Sequence, residues 1–217
     1  METSKVRFKS KEEFDKKSDV IKMRTSTLDN KKTLAAPHEL DISDDIQSSV
    51  VLGCKPLENE ILNIMKKYEY DFGVILPCSK IKNLINLIEK EPSIKIIPVT
   101  REEEGVGICA GAYLAGKKPF MLIQSSGLGN SFNALTSLIK TYKIPLFILV
   151  SYRGYHNEKI LAQIPLGNAL PKMLDALEIP YLILKKGIGK LEKFCEANLN
   201  NGFPFIILLS PELFEDV

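Results

Sequence analysis

The chain contains no tryptophan and only two histidines, His38 and His156. Its four cysteines, Cys54, Cys78, Cys109 and Cys195, form no CxxC pair. A zinc site built from His and Cys is therefore not expected, and the scattered thiols are expected to be reduced and buried, as in a cytoplasmic protein. Net charge is only +2 over 217 residues, which argues against nucleic acid or an anionic membrane surface as the partner. No apolar run approaches the roughly 18 residues that a spanning helix needs, and no signal-peptide pattern opens the chain. Three catalytic signatures are also missing. There is no GxxxxGK[ST] and no GxSxG, and the GLG at 127–129 meets Phe132 where GxGxxG requires glycine.

Hydrophobic residues make up 45% of the chain, enough for the core of one domain. Their distribution divides it. Residues 1–50 mix both charges with Ser and Thr and hold few large apolar side chains, so a flexible extension is expected there. Residues 51–217 alternate instead. Leu57, Ile61, Ile64, Met65 and Tyr68 recur at helical spacing. Short apolar runs then follow at FGVIL (72–76), IKIIPV (94–99), PFMLIQ (119–124), PLFILVS (145–151), YLIL (181–184) and FIILL (205–209), with helical stretches between them. Continuous apolar strands separated by amphipathic helices predict an α/β domain: a doubly wound, mainly parallel six-stranded sheet with helices on both faces.

Ligands of such sheets bind beyond the carboxyl ends of the strands. The segments to read are therefore PCS (77–79), TREEEG (100–105), SSGLGN (125–130) and SYRGYH (151–156). In TREEEG, Thr100 is placed to cap the following helix and Glu103 to close a capping box. Neither role accounts for Glu102. The helix itself carries Gly105, Gly107, Gly111 and Gly116, and an interior glycine costs roughly 0.5–1 kcal/mol relative to alanine. Close approach of another helix, across a subunit interface, is the expected compensation. SSGLGN reads as a turn exposing backbone groups. The basic KKGIGK stretch (185–190) reads as a solvent-facing helix start.

Taken together, TREEEGVGICAGAYLAGKKP, IQSSGLGNSFNALTSL and YKIPLFILVSYRG resemble the pyrimidine-binding domain of thiamine-diphosphate-dependent decarboxylases, over about residues 56–185. The likeness is nearest to the alpha subunits of sulfopyruvate decarboxylases, then to phosphonopyruvate decarboxylases. It departs from many relatives in having Arg101 where they carry His, and Leu128 where they carry Pro. The resemblance implies that Glu102, counted back from Gly111, is the catalytic glutamate that hydrogen-bonds the cofactor's aminopyrimidine and promotes loss of the thiazolium C2 proton. It also implies that Ser126, Gly127, Leu128, Gly129 and Asn130 line the cofactor.

A GDG motif, which in this family holds the diphosphate and Mg²⁺, does not occur in the chain. The resemblance thus implies half an enzyme, completed by a beta subunit with a GDG-type domain that holds Mg²⁺. Its reaction would be the decarboxylation of 3-sulfopyruvate to sulfoacetaldehyde, on the route to coenzyme M. The alternatives are a phosphonopyruvate decarboxylase subunit and a non-catalytic partner of a thiamine diphosphate enzyme. An anionic substrate tail wants an arginine fork or a cation with hydroxyl and amide donors, which nominates Arg153 first, Ser79 second and Gln163 third, with His156 beside Arg153. No metal ligand is expected in this chain.

Overall fold

A computed structural model describes residues 57–185, 189–199 and 201–214. The expected extension (1–50) and Cys54 lie outside these residues. The first helix, α1 (Leu57–Lys67), buries Ile61, Leu62, Ile64 and Met65 on one face. Glu58 and Glu60 stand at its positive end and Lys66 and Lys67 at its negative end, as the helix dipole favours. Then come β1 (Phe72–Ile75), α2 (Lys82–Glu89), β2 (Lys95–Pro98), α3 (Glu102–Leu114), β3 (Pro119–Gln124), α4 (Ser125–Ala134), β4 (Phe147–Ser151), α5 (Ile164–Ala176), β5 (Tyr181–Leu184), α6 (Gly189–Asn198) and β6 (Phe205–Leu209). A π-helical turn (Leu135–Lys140) prolongs α4.

The strands form one sheet in the order β2-β1-β3-β4-β6-β5, and every neighbouring pair is parallel. This is the expected doubly wound sheet. Its inner strands explain the unbroken apolar runs, because β4 and β6 are buried at every position and must be apolar on both faces. Phe147, Leu149, Phe205 and Ile207 pack towards α1, α2 and α6. Ile148, Val150, Ile206 and Leu208 pack towards α3, α4 and α5. From β1 the chain crosses outward to β2, then returns to β3 on the other side of β1. The carboxyl ends of β1 and β3 therefore flank the switch point where such folds hold ligands.

Two local expectations are corrected. Arg101, not Thr100, is the N-cap of α3, with extended backbone (φ −137°, ψ 135°) and no side-chain cap bond. The capping box does not form, because the helix starts one residue later and Glu103 pairs with Arg101 instead. SSGLGN is not a turn but the opening of α4, which follows β3 without a loop. Its glycines concealed that helix, since their weak helix propensity is overridden by packing.

The glycines of α3 also divide by role. Gly105 lies on the sheet, where an added Cβ would come within 2.7 Å of Val74 Cγ1. Gly116 ends the helix rather than weakening it. It adopts φ +87°, its N–H donates to Tyr113 O at 2.9 Å, and Lys117 N–H donates to Ala112 O at 3.0 Å. That is a Schellman stop, for which glycine is the favoured residue. Gly107 and Gly111 are exposed, and among the described residues no atom of a neighbouring element lies within 4 Å of a Cβ added to either. The helix does pack against α4, but these two glycines take no part in it.

The Cys78, Cys109 and Cys195 thiols are buried and free. In KKGIGK, residues 186–188 lie outside the described set; Gly189 and Lys190 begin α6 and are exposed, as expected.

Candidate active site

The segments following β1, β2, β3 and β4 converge at the carboxyl end of the sheet. Glu102, the first residue of α3, is only 6% exposed. Its side chain runs across Gly127 in the first turn of α4. A Cβ on Gly127 would fall on Glu102 Oε1 and within 2.5 Å of Cγ and Cδ. Only glycine leaves room for this carboxylate, so the two motifs that stand apart in sequence form one contact. Among the described residues Glu102 has neither a hydrogen-bond partner nor an ion pair. Its oxygens are not sealed from solvent, since the buried side-chain atoms left without a partner among the described residues are Tyr68 Oη and Ser210 Oγ, so the carboxylate is open to a bound group that bears a proton. Of its neighbours, Glu103 pairs with exposed Arg101 and Glu104 is solvent-exposed, as expected of a flank.

The remaining SSGLGN residues separate. Ser126 is half-buried, whereas Leu128 is fully buried in the core and offers only its backbone. Gly129 lies under Leu166 of α5, where a Cβ would be 2.9 Å from Leu166 Cδ2. Asn130 is exposed.

Ser125 was not singled out by sequence, yet it ties the ends of β3 and β4 together. Its buried hydroxyl donates to Ser151 O at 3.2 Å and accepts from Arg153 N–H at 2.8 Å. Its one sequence signal is its place directly after a strand.

Arg153 is buried, and its guanidinium fork is already engaged. Nε donates to Glu158 Oε2 at 2.6 Å and Nη2 to Glu158 Oε1 at 2.9 Å. The same carboxylate accepts Gly154 N–H at 3.2 Å and Ile160 N–H at 3.0 Å. Hydrogen bonds from Arg153 hold the Glu158 carboxyl well below its ordinary range, at about 2, and the two backbone donors act in the same direction. Glu158 went unnoticed in the sequence because a loop partner five residues away follows no periodicity. Its clamp supports a strained segment, with Gly154, His156 and Asn157 at φ +79°, +40° and +54°. Gly154 also lets the loop sit on α5, since any Cβ there would strike Gln163 O.

Arg153 stands beside the Cys78 thiol, which donates to Ser151 Oγ at 3.6 Å. His156 is exposed and meets Glu212, Nδ1 to Oε1 at 3.2 Å. Ser79 opens a short 3₁₀ turn at the end of β1 and is exposed. Gln163 is half-buried and caps α5, its backbone N–H donating to Ile160 O at 2.9 Å. Ser79, Arg153 and Gln163 thus share this end of the sheet, on separate segments.

Residues 57–179 match the family described as thiamine pyrophosphate enzyme, N-terminal TPP binding domain. The chain is 45% identical over 148 residues to a protein of Methanococcus maripaludis named sulfopyruvate decarboxylase subunit alpha, covering 67% of this chain and 89% of that one. It is 49% identical over 161 residues to a Methanosarcina acetivorans protein named sulfopyruvate decarboxylase, covering 73% of this chain but only 41% of the relative. Among solved structures, benzoylformate decarboxylase from Polynucleobacter necessarius superposes with a TM-score of 0.59 at 16% identity, over 76% of this chain and 31% of the other.

Proposed function

The chain belongs to the thiamine pyrophosphate enzyme family, as its N-terminal, cofactor-binding domain, and from that premise we propose that it is the pyrimidine-binding subunit of a sulfopyruvate decarboxylase. The observation that carries the reading is Glu102, a residue only 6% exposed whose carboxylate has no partner among the described residues and lies across a glycine that nothing larger could replace. A carboxylate so placed fits the protonatable ring nitrogen of an aminopyrimidine. Thiamine diphosphate, when bound, supplies the electron sink for the pair released as a 2-oxo acid loses carbon dioxide.

The chain's own residues do the rest. Glu102 holds a proton between its carboxylate and that nitrogen, and burial strengthens the hydrogen bond by lowering the local dielectric. Gly127 sets the position of the carboxylate, while the backbone around Ser126, Gly127, Leu128, Gly129 and Asn130 forms one wall of the cofactor site. For the substrate we assign Ser79 and Gln163 as direct contacts. Arg153, with its fork held by Glu158, shapes that side of the site and lends it positive charge.

We assign the diphosphate and Mg²⁺ to a second subunit with a GDG-type domain. Two observations support this. The match covers 41% of the M. acetivorans relative, whereas it covers 89% and 71% of two relatives that are named as alpha subunits. The outer face of α3 also presents Gly107, Gly111, Ile108 (37% exposed) and Leu114 (69% exposed), an apolar strip suited to a partner surface. Among the described residues no helix is long and apolar enough to cross a membrane, and the three thiols there are buried and free. Both features suit a cytoplasmic enzyme on the route to coenzyme M.

The test is decarboxylation of sulfopyruvate by the tagged full chain with thiamine diphosphate and Mg²⁺, alone and with the partner that co-purifies. Activity in the partnered sample alone is the expected result. Glu102→Gln should then abolish it, by roughly 10²–10⁴, while assembly persists. Full activity of that variant would remove Glu102 from the mechanism, and a preference for phosphonopyruvate would reassign the substrate.

A further inference from the structure

Beside the Cys78–Ser151 contact, at the end of β1, lies an open cleft of about 330 Å³ lined by Pro77, Cys78, Ser79, Lys82, Asn86 and Glu89, with Ile85 as its apolar floor. Lys82 is its one cation. Lys66, Lys67, Lys117, Lys118 and Lys140 each hold a carboxylate at 2.6–3.0 Å, but the Lys82 ammonium has no ion pair or hydrogen bond among the described residues, its backbone N–H alone donating to Ser79 O. Ser79 adds a hydroxyl and Asn86 an amide. Donors and a positive charge therefore gather at the strand end, one helical turn apart along Ser79, Lys82 and Asn86, while Glu89 lines the cleft a further turn along α2.

A second cleft, of about 220 Å³, makes a useful contrast. It is lined by Glu60, Asn63, Ile64, Lys67 and Glu192, and its lysine is already neutralised by Glu192 at 2.6 Å. It offers an anion an amide at Asn63 but no free cation. The cleft beside Cys78 offers both, and hydrogen bonds link its wall to the site described above. Cys78 bonds Ser151 Oγ, Ser151 O accepts from Ser125, and Ser125 opens the turn that carries Gly127 against Glu102.

We propose that Lys82 is the residue that selects the substrate's second anionic group, a sulfonate or similar tetrahedral anion on the carbon beyond the 2-oxo group, with Ser79 and Asn86 donating to its remaining oxygens. A tetrahedral anion presents three acceptor oxygens, which an ammonium, a hydroxyl and an amide can each meet. The inference rests on the decarboxylase reading and extends it. It separates the part of the site that performs decarboxylation, common to all 2-oxo acids, from the part that reads the tail.

The experiment compares wild-type, Lys82→Met and Lys82→Arg chains, each in the assembly with the partner subunit, on sulfopyruvate and on pyruvate, which lacks the tail. Lys82 is exposed, so neither change should disturb folding. Loss of one charged hydrogen bond should raise KM for sulfopyruvate roughly 10-fold or more in Lys82→Met, with kcat little changed. KM for pyruvate should stay where it was, and Lys82→Arg should recover much of the loss. Calorimetric titration with 3-sulfopropionate, which carries both anionic ends but no 2-oxo group, should show the same weakening without any turnover. Unchanged KM for sulfopyruvate in Lys82→Met overturns the proposal, as does an equal rise for both acids. A wild-type assembly inactive on sulfopyruvate but active on another 2-oxo acid overturns the parent reading instead, and the titration then decides whether Lys82 binds a sulfonate at all.

Discussion

Replacing Gly127 with alanine would put a methyl group where the Glu102 side chain already lies. Because the clash reaches Cγ and Cδ as well as Oε1, turning the carboxylate alone cannot relieve it, and the side chain must leave its rotamer. Overpacking of this kind costs roughly 1–3 kcal/mol. Alanine in a helix recovers about 1 kcal/mol relative to glycine. The net effect on folding should therefore be small, between no change and a loss of about 2 kcal/mol. Activity should fall far more, by roughly 10²–10⁴, because the displaced group is the one argued to hold the proton. Two assays separate these effects: urea denaturation of the full chain followed by circular dichroism, and decarboxylation by the assembly. The double variant Glu102→Ala with Gly127→Ala completes the cycle. Once the glutamate is removed the methyl group has space, so the double variant should be more stable than the sum of the single changes by at least 0.5 kcal/mol. Additive stabilities together with an active Gly127→Ala enzyme would refute the contact and its role.

Three further outcomes are expected. Glu158→Gln leaves Arg153 buried beside a neutral amide and should cost about 3 kcal/mol in chemical denaturation. The Glu158 carboxyl lies near 2 in the fold, below its ordinary value, so its contribution is present above about pH 4.3 and is lost as pH falls towards 2. Acid titration of stability should accordingly be flatter in Glu158→Gln than in the wild type. Gly116→Ala forces a side chain into the left-handed region at φ +87° and should destabilise the chain by about 1 kcal/mol in the same urea assay, with no loss of specific activity. Leu114→Asp, on the exposed strip of α3, should leave the chain folded but reduce assembly with the partner, read by sedimentation velocity; undiminished assembly would exclude that strip from the interface.

Sequence periodicity alone determined the sheet, because strands buried on both faces must be apolar throughout, and three of the six runs begin and end where the strands do. Strand ends then marked the right end of the molecule, and the excess of carboxylates at 102–104 marked the right helix. Local geometry was less legible. Thr100 has the chemistry of a cap but not the position, and SSGLGN hides a helix because its glycines answer to a neighbour's side chain rather than to propensity. What only the tertiary structure decided was pairing across distance. Gly127 must be glycine because of Glu102, Ser125 bridges two strands, and Arg153 is engaged by Glu158. The first two join segments that only the sheet brings side by side, and the third closes a five-residue loop; none has a spacing that carries a period.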